Sequence, residues 1–486
     1  FRKKRNFIKC GAILIIFISY LNFMQKNIFS NIEKFKNRIA LYTKNYEVIK
    51  YSQILKDSKV FKKFFQTKQT IIILAENSYE FIVSYVSALK NNQLLILVSP
   101  NTDLNGLKSL DKNYSPEYII CNKKKILPEN YNKIFDFKNF SFFQNIDKKK
   151  YSINKNISCL LSTSGTTGNA KFAKISIENL MNNSKGISKF LKISPQDTAI
   201  TTMPPFYSYA LSIINTHLMS GSKIILNDYS LIDRRFWDLS EKFKPNNLNG
   251  VPYNYEILDK IKFHDMKLKN LKYITQAGGK LHRKLKDKFI KTCIINKINF
   301  YVMYGQTEAS PRMTIMPWNL LKKFPESVGK PLSGGKIKIK QKNKNSKEGI
   351  GEIIYYGKNV FWGYSKSFKD LKENKKNNDT LKTGDLGYLD KRGLLFITGR
   401  EKRILKIFGI RISLDLLENE LYKKNYNCVC TGNDEKLNIY LKQNKNINFT
   451  VLNELIKKIT NLMPRFFEVI SVKDFKRNKV GKISYK

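Results

Sequence analysis

The sequence predicts an α/β protein: a large N-terminal domain of doubly wound sheets with a small antiparallel barrel, followed by a small α+β C-terminal domain. Three observations carry that prediction. Short apolar runs alternate with a helix-spaced segment in the first part of the chain, glycine-punctuated strands take over after about residue 326, and two amphipathic helical patterns follow Arg400. A chain of 486 residues also exceeds what one hydrophobic core supports, so more than one domain is expected.

Residues 1–23 open on a basic stretch, Phe1 to Arg5, and continue with an apolar run at 11–21, the layout of a basic n-region and a short h-region. That run is shorter than the ~20 residues a bilayer span needs, and no small-x-small cleavage site follows it. Met24 is expected to be the initiator and the location cytoplasmic, with membrane association through residues 11–21 and an exported precursor as the alternatives.

Residues 70–74, 94–98 and 118–121 are apolar and bounded by polar or turn residues, the pattern of buried parallel strands. Between the first two, residues 78–89 carry apolar side chains at helical spacing, with Asn77 or Ser78 as the N-cap. The rhythm returns at 199–203, 223–226, 273–276 and 299–303, so ligands are expected at the carboxyl ends of these strands. Residues 335–340, 351–356, 387–389 and 394–397 read as antiparallel strands. A domain boundary is placed near Arg400, dividing 24–399 from 400–486, with helices expected around 415–421 and 451–462.

The net charge of +49, from 88 Lys and Arg against 39 Asp and Glu, would ordinarily point to nucleic acid or an anionic membrane. The excess is mostly Lys spread along the whole chain, and no segment clusters Arg and Lys with aromatics, so nucleic acid is not expected as a partner. Hydrophobic residues at 42% and aromatics at 13% exclude a disordered chain. Six cysteines without regular spacing favour a reducing compartment over a disulfide framework. Cys428 and Cys430 fall in an expected strand, read as pointing to opposite faces, and with no second Cys or His pair nearby no metal site is expected there.

The strongest local signal is an apolar run that opens into Thr163, Ser164, Gly165, Thr166, Thr167 and Gly168 and closes on Lys171. Glycines let backbone N–H groups approach a ligand, the hydroxyls donate and the lysine adds charge, which suits a polyphosphate; the bland reading is a surface turn. Its spacing is not that of the Gly-Lys-Ser/Thr nucleotide loop. Further on come Ala277, Gly278 and Gly279, where a flat base could lie against backbone, then Tyr304, Gly305, Gln306, Thr307 and Glu308, then Thr383 to Asp385, then Arg400 and Lys402, and finally Gly481 and Lys482. Taken singly, each could be an ordinary turn or loop.

In this order the segments resemble the adenylate-forming superfamily, which joins acyl-CoA synthetases, adenylation domains of peptide synthetases and luciferases, and the resemblance runs from about Asn27 to Lys486. Ala170 stands where the family usually has Pro, Asn478 where it has Thr, and Val480 where it has Asn or Ser. The resemblance implies that the 163–171 loop holds phosphates, that 277–279 lies beside adenine, that Tyr304 packs on adenine, that Thr307 meets phosphate and that Glu308 holds Mg²⁺. It further implies that Asp385 accepts both ribose hydroxyls, that Arg400 reaches ribose or phosphate, that Lys402 is the pivot and that Lys482 contacts the acid and the α-phosphate.

Tyr207 and Tyr209 match the segment beside the acyl pocket, with Tyr207 at the family's His and Ala210 at its Gly. Residues 209–212 lack the Asp with which peptide-synthetase domains pair an α-ammonium, which points to an acid without an α-amino group. Residues 207–217 also look like adenylating enzymes found beside surface-polysaccharide functions; His217 itself reads as a packed structural residue.

The implied activity is an ATP-dependent carboxylic acid:thiol ligase. It adenylates a small-molecule acid with release of pyrophosphate and passes the acyl group to coenzyme A or to a phosphopantetheine carrier. With the chain ending soon after Lys482, that carrier is expected to be a separate protein. The alternatives are a catalytically silent nucleotide-binding regulatory protein and an amino-acid adenylating enzyme.

Overall fold

The structure, a computed structural model, describes residues 28–163, 171–341, 349–373, 377–407, 410–443, 447–477 and 483, except the Arg411 side chain. Two large sheets form its main body. In the eight-stranded sheet, Thr70–Leu74 lies between Leu94–Val98 and Tyr118–Asn122 and runs parallel to both. Parallel neighbours need a crossover, supplied between the first two by the helix Tyr79–Lys90, whose N-cap Ser78 accepts from the Phe81 amide through Oγ. The first two strands are buried at every position, which is why they read as unbroken apolar runs rather than alternating ones. Ile157–Ser162 continues this sheet and pairs antiparallel with Phe172–Ser176, which brings Thr163 and Lys171 side by side.

The larger sheet contains six consecutive parallel strands: Ile39–Tyr42, Lys223–Ile225, Thr198–Ile200, Asn247–Gly250, Tyr273–Gln276 and Asn299–Gly305. Asn247–Gly250 was not expected as a strand, because its Asn-Leu-Asn-Gly sequence carries no apolar run; it is nevertheless buried throughout, with its amides satisfied internally. From Asn299–Gly305 the ladder turns antiparallel through Arg312–Ile315, Ser327–Pro331, Leu395–Arg400, Thr380–Leu389, Gly351–Tyr356 and Lys336–Lys340. The glycine-punctuated strands thus extend the parallel ones in one hydrogen-bonded order.

Beyond Arg400 a three-stranded sheet, Cys428–Gly432, Leu437–Lys442 and Phe467–Val472, packs with the helices Leu414–Lys423 and Phe449–Thr460 around an apolar cluster of its own. Cys428 and Cys430 both belong to that cluster. The expectation of opposite faces was wrong, since side chains two apart in a strand share a face. Their proximity, together with burial, pushes the Cys430 thiol well above its ordinary value. No helix among the described residues is long and apolar enough to cross a membrane, and residues 11–21 lie outside them.

Candidate functional site

The segment from Tyr304 to Glu308 is the tip of a hairpin between Asn299–Gly305 and Arg312–Ile315. Gly305 stands at a register shift in this ladder, and a Cβ there would lie 2.0 Å from the Pro311 carbonyl oxygen, so only glycine lets the strands approach. Past it the chain makes one short 3₁₀ turn, Thr307–Ala309.

Four side chains meet at Asp385, which is only 3% exposed. The Tyr304 hydroxyl donates to Oδ2 at 2.5 Å and the Gln306 amide donates to the same oxygen at 2.8 Å. Arg400 Nε donates to Oδ1 at 3.1 Å, and Asp385's own amide donates to Thr383 Oγ1. Burial, reinforced by the Asp385 charge, holds the Tyr304 hydroxyl well above its ordinary range, so it stays a donor.

Next to this node, Thr307 Oγ1 lies 3.0 Å from Ser208 Oγ at the start of the helix Ser208–Met219. The Tyr364 hydroxyl donates to Glu308 Oε1 at 2.8 Å, and Lys171 Nζ sits over the Tyr364 ring at 5.6 Å. Tyr364 therefore bridges the end of the Ser/Thr/Gly loop to Glu308. Thr163 closes the base of that loop, its amide and hydroxyl both donating to the Lys171 carbonyl. Ser164, Gly165, Thr166, Thr167 and Gly168 lie outside the described residues, as does Lys482; Arg477 and Ile483, which flank Lys482, form an antiparallel bridge.

Gly278 has φ +82°, and a Cβ on it would come within 2.5 Å of the Tyr207 hydroxyl, so Tyr207 rests directly against this backbone. Ala277 and Gly279 flank it, with Gln276 Nε2 donating to the Gly279 carbonyl at 2.7 Å. Tyr209 lies edge-on to Tyr207 and reaches a buried polar chain. Thr275 Oγ1 donates to Asn249 Oδ1, Asn249 Nδ2 donates to Asn247 Oδ1, and Asn247 Nδ2 faces His217 Nε2 at 3.3 Å. His217 Nδ1 stands 2.8 Å from the Ile213 carbonyl, which can only accept, so the proton is on Nδ1 and Nε2 accepts from Asn247. The Thr275 hydroxyl proton is spent on Asn249, so the Tyr209 hydroxyl must donate toward Thr275. Burial lowers the His217 pKa to about 4 and keeps the ring neutral, in line with its reading as a structural residue.

Arg400 and Lys402 sit where the strand Leu395–Arg400 ends in the turn Glu401–Arg403. The Arg400 side chain turns back to Asp385, whereas Arg403 turns forward, its guanidinium pairing with Asp415 at 2.8 Å and donating to Glu418 at 2.5 Å. Lys402 lies exposed between them.

The AMP-binding enzyme family matches residues 28–365, well over half of the chain. The chain belongs to the AMP-binding enzyme family. Among curated proteins it is 28% identical over 268 residues to the oxalate–CoA ligase of Saccharomyces cerevisiae, covering 54% of this chain and 48% of that one. It is 24% identical over 365 residues to the 2-succinylbenzoate–CoA ligase of Staphylococcus epidermidis, covering 73% and 74%. The chain thus spans about half the length of the yeast relative. Its fold matches the o-succinylbenzoate coenzyme A synthetase MenE of Bacillus subtilis, solved with ATP and magnesium, with a TM-score of 0.73 at 18% identity over 94% of this chain and 98% of that one.

Within this AMP-binding fold, the structure brings Tyr304, Gln306, Asp385 and Arg400 into contact, and puts Thr307 and Glu308 on the same hairpin tip. Sequence reading missed three neighbours. Tyr364 and Ser208 carry no local signal, since they meet Glu308 and Thr307 only through the fold. Arg312 did leave one: a charged residue opening the strand Arg312–Ile315, which proves to be buried at every position.

Proposed function

We propose that the protein is an ATP-dependent carboxylic acid:thiol ligase. The observation that carries this reading is the convergence of Tyr304, Gln306 and Arg400 on the buried Asp385, with Thr307 and Glu308 on the adjoining turn. A buried carboxylate ringed by donors, one of them Tyr304 at the carboxyl end of the parallel strand Asn299–Gly305, suits a nucleoside diol. An ionised carboxylate has about four acceptor positions. Three side-chain donors occupy Asp385, so two ribose hydroxyls require one donor to leave, and Arg400, with 61% of its side chain exposed, is the one free to move.

In the first half-reaction a carboxylate oxygen of the acid bonds to the α-phosphorus of ATP as the bond to pyrophosphate breaks. In the second, a thiol sulfur bonds to the acyl carbon and AMP leaves. Both steps gather negative charge, so preorganised donors and cations are the main catalytic contribution, about 2–4 kcal/mol for each donor aimed at developing charge. The roles assigned are phosphate contacts for residues 163–168 and Lys171, adenine contacts for 277–279 and Tyr304, phosphate for Thr307, and acid plus α-phosphate for Lys482. Among the described residues only the Tyr364 hydroxyl donates to the Glu308 carboxylate, which leaves its other oxygen for a hard cation, and one protein carboxylate with substrate phosphates is a usual Mg²⁺ donor set. When bound there, Mg²⁺ supplies charge neutralisation to the phosphates.

We assign residues 24–399 to the nucleotide-binding domain and 400–486 to a small domain that turns about Lys402. The opposed commitments of Arg400 and Arg403 on either side of Lys402 support this pivot. The relatives are named for CoA, which supports coenzyme A over a separate carrier as the thiol. Free thiols at Cys121, Cys159, Cys293, Cys428 and Cys430 support a cytoplasmic location. The deciding experiment is acid-dependent ATP–pyrophosphate exchange across aliphatic, hydroxy, aryl and amino acids. Exchange lost on Lys482→Ala, with ATP binding kept, is the expected result; no exchange with any acid overturns the reading.

A further inference from the structure

Behind Tyr207 and Tyr209 lies a cation that the fold does not neutralise. Arg312 is 2% exposed, and no Asp or Glu among the described residues lies within ion-pair distance of it. Its Nε donates to the Met303 sulfur at 3.1 Å, a weak acceptor, an Nη donates to Ser212 Oγ, and its guanidinium lies over the Tyr209 ring at 4.4 Å. Arginine keeps its proton in such a place. These partners, with the Tyr209 hydroxyl, are all neutral and recover only part of the cost of removing that charge from water.

A second group nearby is also unsatisfied. Tyr273 is 5% exposed, and its hydroxyl has no hydrogen-bond partner among the described residues. Tyr273 and Arg312 are within electrostatic range of each other. Both adjoin Tyr209: Tyr273 shares a strand face with Thr275, which holds the Tyr209 hydroxyl, and Arg312 lies over the Tyr209 ring and on Met303, which clusters with Tyr207, Tyr209 and Ala277. A buried cation without its anion and a buried donor without its acceptor are the two halves of a carboxylate receptor.

We propose that Arg312 and the Tyr273 hydroxyl receive a second carboxylate of the acyl substrate, so that the acid activated by this protein is a small dicarboxylic acid. This rests on the ligase reading above. The first carboxylate goes to the nucleotide, past Tyr207 and Gly278, and the remote one enters between the helix Ser208–Met219 and the strands Tyr273–Gln276 and Asn299–Gly305. Arg312 is a binding residue for the substrate's far end and takes no part in bond making.

The test compares kcat/KM in pyrophosphate release for short dicarboxylic acids with that for their monomethyl esters and for monocarboxylic acids of equal length. The wild type is expected to favour the diacid by at least about 100-fold, the discrimination a desolvated charge pair supplies. In Arg312→Met that ratio is expected to collapse toward one. Tyr273→Phe, which removes only an unbonded hydroxyl and so should fold, is expected to lower the ratio by about 10-fold. Thermal shift with the diacid alone separates this inference from the ligase reading. Stabilisation of the wild type but not of Arg312→Met supports the receptor even where no exchange occurs. Turnover of monocarboxylic acids in preference to diacids, or an unchanged ratio in both variants, overturns the receptor and leaves the ligase standing.

Discussion

Arg400 and Asp385 are paired twice: they are register partners in adjacent antiparallel strands, and Arg400 Nε also donates to Asp385 Oδ1 at 3.1 Å. The pairing ties the last strand before the Lys402 turn to the carboxylate assigned to ribose. Since most of the Arg400 side chain is in solvent, the ion pair itself adds little stability. Its consequence is positional.

Asp385→Ala should destabilise the protein by about 1–3 kcal/mol, because it strands the Tyr304 hydroxyl and leaves the Gln306 amide with only the Thr383 carbonyl to donate to. Asp385→Asn should cost less stability yet abolish the discrimination between ATP and its 2′-deoxy or 3′-deoxy analogues. Urea denaturation and analogue affinities measure the two effects. Equal discrimination in wild type and Asp385→Asn would remove Asp385 from the ribose site.

At Gly278 two constraints coincide, a φ of +82° and the Tyr207 hydroxyl at 2.5 Å from an added Cβ. Gly278→Ala should therefore lose more than the ~1 kcal/mol that an unsuitable backbone conformation alone costs, and should raise KM for the acid by displacing Tyr207. Adding Tyr207→Phe should recover most of the steric part, leaving the Val251 methyl at 3.1 Å and the backbone part. A double variant no more stable than Gly278→Ala would show that Tyr207 is not what the new methyl meets.

Glu308→Gln should raise the Mg²⁺ concentration for half-maximal exchange by about 10-fold or more and lower kcat, because it removes the only carboxylate of the hairpin tip. Tyr364→Phe, which removes one hydrogen bond from Glu308, should shift the Mg²⁺ dependence by a smaller factor. A Mg²⁺ titration of exchange rate distinguishes them, and superimposable curves for wild type and Glu308→Gln would reassign the metal.

His217 sets a pH dependence of stability. Its pKa is lowered from 6.5 to about 4 by burial, so between those values the unfolded chain binds the proton and the folded one does not. Stability from this group is complete above pH 6.5 and is lost as pH falls toward 4, by up to about 3 kcal/mol. His282, also lowered to about 4 by burial, adds to the same limb. His217→Gln should flatten the fall in urea midpoint between pH 7 and pH 4.5. An identical slope in the variant would mean that His217 does not carry it.

The α/β rhythm was readable because parallel strands buried on both faces are mostly apolar, as at Thr70–Leu74 and Leu94–Val98. The same rule hid Asn247–Gly250, whose burial is compensated by amide-to-amide hydrogen bonds rather than by apolar side chains. Of the site, the hairpin tip was legible because its residues are contiguous. The contacts of Glu308 with Tyr364 and of Thr307 with Ser208 were not, since they join positions that only tertiary folding brings together. The error at Cys428 and Cys430 was one of strand parity and not of information.

The one-way series of protons from Tyr209 through Thr275, Asn249 and Asn247 to His217 gives the interior a fixed polarity, electron-rich at the tyrosine and anchored at the Ile213 carbonyl. Reversing a single link would mean turning every member of the series. Homologues that drift toward another acid are thus steered to change Arg312 or Tyr207 before any residue of the series, so divergence in specificity should be written beside the series while the series itself stays invariant.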